Sequence, residues 1–330
     1  MTARKAMTPR EQDACLRRIG TALLATAPQG WLKLRLVYSG LVDSEAIHVD
    51  ALMEHGRGVG CVPPFSVLGE LRDLRAGMFA ERTGTWYTAY YEMERPARYR
   101  VRYDHESEPY FDEPRGEDSY LLDLEHFPRD REHIPDWLLE RLDGGRVPEP
   151  ASRWSALATS RPSRKARIAP GEMDPEEVMD TIQEIAARTT AAVRGEWREV
   201  VVEHRALVGV AASKVRVLRE EGEEWDLLLP EVAHLFRRLR TGMYHQGKGT
   251  WYTFRLTVKE SREIGVHYDL SNPPEFDVEP DPRSFYRDAM YFPRSADHLP
   301  DWLLDKLSAA QRIMRGTGPG RSGADPGASG

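Results

Sequence analysis

Serine, aspartate and histidine, the residue types of a hydrolase triad, recur twice in this chain at matching positions. The two sets are Ser119, Asp123 and His133, and Ser284, Asp288 and His298. In a triad the histidine takes a proton from the serine, while the aspartate orients the imidazole. Neither serine lies in a G-x-S-x-G turn, and each histidine stands two residues before a Pro-Asp-Trp helix start. A serine hydrolase is therefore the less favoured alternative, and no residue is assigned as catalytic.

A second chemical pattern is Gly242 followed, after four residues, by Gly247-Lys248-Gly249-Thr250, which is close to a phosphate-binding P-loop. A P-loop follows a strand and opens a helix. Here an apolar stripe of helical period leads into Gly242, and a strand-like alternation follows Thr250. The matching stretch, Arg82-Thr83-Gly84, keeps the glycine and lacks the lysine. The pattern predicts a helix-to-strand corner and no nucleotide cofactor.

Metal and membrane chemistry also lack support in the composition. The two cysteines, Cys15 and Cys61, form no zinc-type spacing or disulfide framework, and the histidines lack metalloprotease spacing. We expect no metal site. The formal net charge of −7 argues against direct binding of nucleic acid. Without an apolar leader or a run of about 18 apolar residues, a cytoplasmic protein with no membrane contact is expected.

These motifs belong to an internal duplication. Gly77–Leu142 aligns with Gly242–Leu307 without gaps over 66 residues, at an offset of 165, with 25 identical positions. Upstream the offset becomes 166, where Trp31 matches Trp197. A repeat of this length is a domain rather than a solenoid unit. We refer to the two copies as the first and second repeats.

Four segments follow from the duplication. We expect a first domain over residues 1–143 and a second over 173–314. Residues 144–172 are rich in Pro, Ser and Arg and predict a flexible linker, and residues 315–330 predict a disordered tail. The chain is expected to be a monomer with two similar domains.

Periodicity predicts the same elements in both repeats. Thr8-Pro9-Arg10-Glu11 and Asp174-Pro175-Glu176-Glu177 are typical of a capped helix start. Each repeat then predicts two strands, a helix, a hairpin and two further helices. Gly84 and Gly249 begin the Gly-Thr-Trp-Tyr-Thr stretch that opens each hairpin. The order α-β-β-α-β-β-α-α predicts an α+β fold with an antiparallel sheet covered by helices.

Tryptophan marks equivalent places in both repeats. Trp86 and Trp251 are one step out of phase with the apolar side of their strands, and Trp137 and Trp302 begin the late helix. Exposed aromatic rings are uncommon outside interfaces, so buried structural tryptophans are expected for the first pair.

A strongly acidic loop follows the hairpin of the first repeat. Asp104–Asp118 contains seven carboxylates and one arginine, and the matching loop of the second repeat is less acidic. Such a loop can be a solvated surface, or it can dock onto a basic groove with Tyr110 and Phe111 as anchors. The candidate partner-binding residues are Asp104, Glu106, Glu108, Tyr110, Asp112, Glu113, Glu275 and Asp277.

Taken together, these motifs resemble the YezG-type immunity, or antitoxin, proteins of polymorphic toxin systems. The resemblance rests on the N-terminal helix, Trp31 and Trp197, the helix ending in Gly-Met, the Trp-Tyr-Thr strand and the following Tyr-Asp. The tandem arrangement and the Pro-Asp-Trp-Leu-Leu helix depart from the usual single domain.

The resemblance implies a non-catalytic protein that binds and neutralises a cognate toxin domain, such as a nuclease or an NAD-glycohydrolase. It implies no cofactor and no catalytic residue. A non-catalytic module or scaffold of a toxin system with another protein partner is the alternative.

Overall fold

The computed structural model describes residues 6–96, 98–113, 115–142 and 170–314. The greater part of the predicted linker, residues 144–169, and the predicted tail, residues 315–330, lie outside the described residues. The domain limits at residues 143 and 173 stay predictions.

The first repeat forms an antiparallel five-stranded sheet with the strand order β3-β2-β1-β4-β5. Its strands are β1 (Lys33–Gly40), β2 (Glu45–Leu52), β3 (Gly58–Gly60), β4 (Thr88–Glu94) and β5 (Arg98–Asp104). Its helices are α1 (Pro9–Thr26), α2 (Phe65–Gly77), α3 (Glu117–His126) and α4 (Asp136–Arg141).

The second repeat forms a sheet with the equivalent order, β10-β9-β6-β7-β8. Its strands are β6 (Glu199–Leu207), β7 (Val210–Arg219), β8 (Gly222–Asp226), β9 (Thr253–Lys259) and β10 (Ile264–Asp269). Its helices are α5 (Pro175–Ala192), α6 (Pro230–Gly242), α7 (Pro282–Tyr291) and α8 (Asp301–Met314). The predicted α+β class, with two similar sheet-and-helix halves, is confirmed.

One strand in each repeat was not predicted. β3 is the three-residue segment Gly-Val-Gly, which is too short to show an alternation of apolar residues. β8 is Gly-Glu-Glu-Trp-Asp, which is mostly polar and lacks the alternation of apolar and polar residues that predicts a strand. Both are edge strands that only their pairing with a neighbour reveals.

The first helix of each repeat begins at the predicted capping box. The Glu11 amide donates to the Thr8 hydroxyl at 3.3 Å, and the Thr8 amide donates to the Glu11 carboxylate at 2.7 Å. Asp174 and Glu177 exchange the same bonds at 2.9 and 3.1 Å. These bonds satisfy amides that have no partner inside the helix.

Both faces of the first sheet are buried along β1. Leu34, Leu36 and Tyr38 face the helices α1 and α2 in one continuous core. Arg35 alternates with them on the opposite face and is only 3% exposed. Trp86 also lies in the core, with a fully buried ring. A strand buried on both faces does not show the simple alternation of a half-exposed strand.

The described residues fall into two compact units. The first contains the first repeat together with Ala187–Val200 and Lys214–Leu235. The second contains residues 170–186, Val201–Ser213 and residues 236–314.

Within the first compact unit, Arg35 is the centre of a buried charge cluster. Its guanidinium donates to Glu92 at 2.8 Å and to Asp226 at 2.9 Å, and it also donates to the carbonyl of Leu227. Lys33 Nζ lies 3.1 Å from the same Asp226 carboxylate. Burial alone would raise the pKa of Asp226, but the charges of Arg35 and Lys33 hold it below its ordinary value.

Candidate functional site

The repeated aspartates each bind a buried arginine rather than a histidine. In the first repeat, Arg75 donates to the Asp123 carboxylate at 2.8 Å and to the carbonyl of Trp86 at 2.9 Å. In the second, Arg240 donates to both Asp288 oxygens at 2.9 and 3.0 Å. All four charged side chains are at most 4% exposed. The repeated aspartate is therefore a counter-ion for a buried cation.

The other members of the suspected triad also have separate partners. The Ser119 hydroxyl donates to Asp43 at 2.9 Å, and His133 lies 3.8 Å from Glu132. In the second repeat, His298 Nδ1 is 3.0 Å from the Ser295 hydroxyl. The described contacts of these residues thus include none of the serine–histidine–aspartate hydrogen bonds that define a triad.

Sequence reasoning missed Arg75 and Arg240. Each is a charged residue within an amphipathic helix, and the two are related by the repeat offset of 165. Each guanidinium also lies over an aromatic ring, at 4.6 Å from the centroid of Phe127 and 4.7 Å from that of Phe292. An identical arginine at equivalent helical positions, next to an apolar stripe, was the available indication of a buried charge.

The glycines of the P-loop-like pattern lie at a corner between helix and strand. Gly84 and Gly249 have φ values of +76° and +80°, which side chains resist. Arg129 and Arg294 lie against these glycines and donate to the carbonyls of the following threonines, Thr85 and Thr250.

This corner does not have the geometry of a phosphate site. The helix α6 ends at Gly242 and the strand β9 begins at Thr253, so no helix N-terminus follows the glycines. Lys248 is exposed. The helix-to-strand order expected from the sequence is present in both repeats.

The acidic loop of the first repeat is held by a frame that the second repeat shares. Asp104 accepts the amides of Glu106 and Ser107 at 3.0 and 2.8 Å, and the Trp137 indole donates to the carbonyl of Glu106 at 2.6 Å. Burial would raise the pKa of Asp104, but these amide bonds, together with the Ser107 hydroxyl and the Arg102 charge, lower it. Asp104 therefore shapes the loop from within.

The second repeat builds the same frame around different side chains. Asp269 accepts the amides of Ser271 and Asn272 at 2.8 and 3.0 Å, and the Trp302 indole donates to the carbonyl of Ser271 at 2.6 Å. The hydrogen bonds at the start of the loop are thus common to both repeats, whereas Glu106 is replaced by Ser271. The exposed charges distinguish one loop from the other.

The remaining candidate residues divide by exposure. Glu106, Glu108, Asp112, Glu113, Glu275 and Asp277 are exposed, and Glu108 pairs with Arg141 at 2.6 Å. Tyr110 is half-buried and its hydroxyl donates to Asp112 at 2.8 Å. Phe111 is 6% exposed within the core, so it is not an external anchor. The exposed side chains of these loops are therefore mainly carboxylates, and the ring of Phe111 is buried.

A cleft of about 460 Å³ lies beside the start of this loop. It is lined by Thr83, Arg102, Tyr103, Asp104, His105, Glu106, Arg129 and His133. Burial and the neighbouring Arg129 charge lower the pKa of His105. The Arg129 guanidinium donates hydrogen bonds to backbone carbonyl groups. The exposed charged residues that line this cleft are Arg102 and Glu106, which have opposite signs.

The described residues contain no group of three or more His, Cys, Asp and Glu side chains arranged to hold a metal ion. Over the same residues, no helix has the length and apolar character needed to cross a bilayer. No protein-family model matches the chain, and no curated protein matches it significantly.

Proposed function

We propose that this chain is a non-catalytic immunity protein that binds and neutralises a cognate toxin domain. The observation that carries the proposal is the acidic loop of the first repeat, in which Glu106, Glu108, Asp112 and Glu113 are exposed and the backbone at the start of the loop is held by hydrogen bonds. A nuclease or an NAD-glycohydrolase binds an anionic substrate, and its cationic groove is the surface such a loop complements.

The frame of the loop favours binding because it is formed before the partner arrives. The bonds to Asp104 and Trp137 fix the amides of Glu106 and Ser107 and the carbonyl of Glu106, so less conformational entropy of this part of the loop is lost on association. The exposed carboxylates are separated by only a few residues and act together on a basic surface. Long-range attraction of this kind raises the association rate and weakens with added salt.

The proposal is tested by co-expression with the toxin domain encoded beside this chain. The wild-type protein should rescue growth, and Glu106→Lys/Asp112→Lys/Glu113→Lys should reduce both rescue and the association rate. Asp104 is left unchanged because it holds the loop backbone. The control with the same change of charge is Glu221→Lys/Glu260→Lys/Asp305→Lys, which alters three exposed carboxylates outside both loops.

Two results would contradict the proposal. One is undiminished toxicity in the presence of a stable and abundant wild-type protein. The other is an equal loss of rescue in the loop variant and in the control of equal charge, which would assign the effect to net charge instead of the acidic loop. Recovery of an unrelated protein in a pull-down from the native cell would favour the scaffold alternative.

A further inference from the structure

The strand β5 exposes an arginine at every second position. The exposed residues of this set, which we call the arginine row, are Arg98, Arg100 and Arg102. The residues between them are half-buried and pack against the core that α1 and α2 cover. Because side chains alternate between the two faces of a strand, the three arginines share one face, with successive Cα atoms about 7 Å apart.

Two members of the arginine row lack a counter-ion. Among the residues that the structure describes, neither Arg98 nor Arg100 has an ion pair or a side-chain hydrogen bond. The residues opposite them on β4 are both glutamates, Glu94 and Glu92. These glutamates contact cations of the neighbouring strand β1 instead, at 3.8 Å for Lys33 and 2.7 Å for Arg35. The charges of Arg98 and Arg100 are therefore left for a partner to neutralise.

The third arginine is held in place by its neighbours. The Arg102 guanidinium lies 3.8 Å from the centroid of the Tyr90 ring and 3.7 Å from the Asp104 carboxylate. These contacts orient the side chain while it stays exposed. Arg102 thus marks the end of the row next to the acidic loop.

The outer side of β5 is an open sheet edge over the described residues. β5 is the last strand of its sheet and pairs with β4 along its whole length, from Arg98 opposite Glu94 to Asp104 opposite Thr88. In an antiparallel pair, alternate residues direct their amides and carbonyls to the neighbouring strand, so the others direct theirs outward. A strand of seven residues offers enough outward groups to pair with an extended peptide.

The equivalent edge of the second repeat lacks the arginine row. β10 is likewise the last strand of its sheet. At the offset of 165, the three arginines correspond to Glu263, Gly265 and His267. Charged side chains on an edge strand can serve only to prevent aggregation. Because the equivalent edge has no such row of like charges, that purpose alone does not account for the three arginines of β5.

We propose that β5 binds an extended acidic segment of a partner protein as an additional strand. Residues directly opposite each other on neighbouring strands have Cβ atoms about 5 Å apart, so a carboxylate at every second position of the segment lies beside an arginine. Main-chain hydrogen bonds hold the segment, and the alternate carboxylates select it. Since the acidic loop begins at Asp104, the carboxylates of the segment must end opposite Arg102.

This surface differs in chemistry from the proposed toxin contact. The arginine row is positive and offers main-chain hydrogen bonds, whereas the acidic loop presents carboxylates. Nucleic acid also carries regularly spaced negative charges. A phosphate group only accepts hydrogen bonds, however, and leaves the outward carbonyls of β5 without a donor. The net charge of −7 also disfavours nucleic acid, so a peptide strand is the better match.

Fluorescence anisotropy with the full-length protein and a labelled peptide tests the proposal. The probe is a peptide of about seven residues in which glutamate alternates with valine and threonine. A peptide of the same composition with consecutive glutamates is the control, and it should bind more weakly. We expect a Kd below about 0.5 mM for the alternating peptide, and this affinity should fall with added salt.

Variants of the chain test the role of the arginine row. Arg98→Gln/Arg100→Gln should weaken binding of the alternating peptide about tenfold, because each cross-strand charge pair contributes up to about fivefold. Arg10→Gln/Arg237→Gln removes the same charge at two other exposed positions and should bind like the wild type. All four side chains are exposed, so thermal melts should show that both variants fold.

Methylated peptides separate strand pairing from simple attraction between charges. Methylation of one alternate set of peptide amides removes the donors that face β5 and should abolish binding. Methylation of the other set leaves those donors in place and should have little effect.

Four results would overturn the proposal. They are a Kd above about 0.5 mM for the wild type, equal binding of the two peptides, equal binding by the wild type and Arg98→Gln/Arg100→Gln, and insensitivity to methylation of either set. Binding of single-stranded DNA in place of the peptide, lost in the same variant, would reassign the arginine row to nucleic acid and also overturn it. The toxin is absent from these measurements, so this proposal and the immunity function fail separately.

Discussion

Asp123→Asn and Asp288→Asn form a matched pair of changes in the two buried arginine–aspartate clusters. The clusters share their residue types, their burial and their place in the fold, but the two carboxylates accept different numbers of hydrogen bonds. Asp288 accepts both Arg240 nitrogens and also the amide of Val208 at 2.8 Å. Asp123 accepts one bond from Arg75, and its Oδ1 has no hydrogen-bond partner in the described structure. The second change should therefore be the more damaging.

The size of each effect follows from the contacts. Removing one charge from a buried ion pair typically costs about 3–5 kcal/mol, because the partner charge is left buried without compensation. We expect about 3 kcal/mol for Asp123→Asn, where one bond is disturbed. Hydrogen bonds to charged groups each contribute about 1.5–3 kcal/mol, and an asparagine retains some of them. We therefore expect about 5 kcal/mol for Asp288→Asn.

Native-state hydrogen exchange is the suitable assay because it reports the opening free energy of each segment separately. Amides of α2 and α3 report on Asp123, and amides of α6 and α7 report on Asp288. The exposed Glu260→Gln should change these free energies by no more than about 0.5 kcal/mol. Equal destabilisation by the two asparagine variants, or a cost below about 1 kcal/mol for either, would refute this reasoning.

Three further changes test other parts of the structure. Lys248→Ala should alter the stability by less than about 0.5 kcal/mol, whereas Gly249→Val should cost about 2 kcal/mol or more in denaturant titrations, because its φ is +80° and Arg294 fills the space of a side chain. Burial and nearby arginines lower the pKa of His204 from 6.5 to about 3, so the unfolded chain binds the proton first and stability falls as the pH drops through this window. Thermal melts should show a loss of about 2 kcal/mol between pH 7 and 5 that His204→Gln reduces. Arg35→Met leaves two carboxylates without their buried cation and should lower the melting temperature of the first compact unit, at a cost of about 3–5 kcal/mol; a melting temperature equal to that of the wild type would contradict this.

The sequence predicted elements whose formation depends on local rules. The capping boxes at Thr8 and Asp174 need only residues three positions apart, and the hairpin of β9 and β10 follows from alternation over neighbouring strands. The duplication supports the element order because each segment occurs twice in the chain. The α+β class could therefore be derived before the sheet topology was known.

The buried charges could not be derived in the same way. Arg75 meets Asp123 across 48 residues and Arg35 meets Asp226 across 191 residues, so no local pattern links them. The sequence showed that the loop is rich in carboxylates, but it did not show which of them are exposed. By sequence, Asp104 and Phe111 resemble the exposed residues of this loop. In the structure, Asp104 accepts backbone amides of the loop, and Phe111 is buried.

The cluster around Arg35 joins a segment of the second repeat, which contains Asp226, to the first repeat. Its first-repeat residues have no equivalents in the second repeat. Where the first repeat has Arg35 and Glu92, the second has Val201 and Thr257. A further copy of the Asp226 segment would find no cation at that position of the second repeat. Head-to-tail contacts that can be repeated indefinitely generate filaments, whereas a contact with only one competent acceptor cannot propagate. Because the second repeat lacks this arginine–glutamate pair, it offers the Asp226 segment no equivalent acceptor through which the contact could repeat.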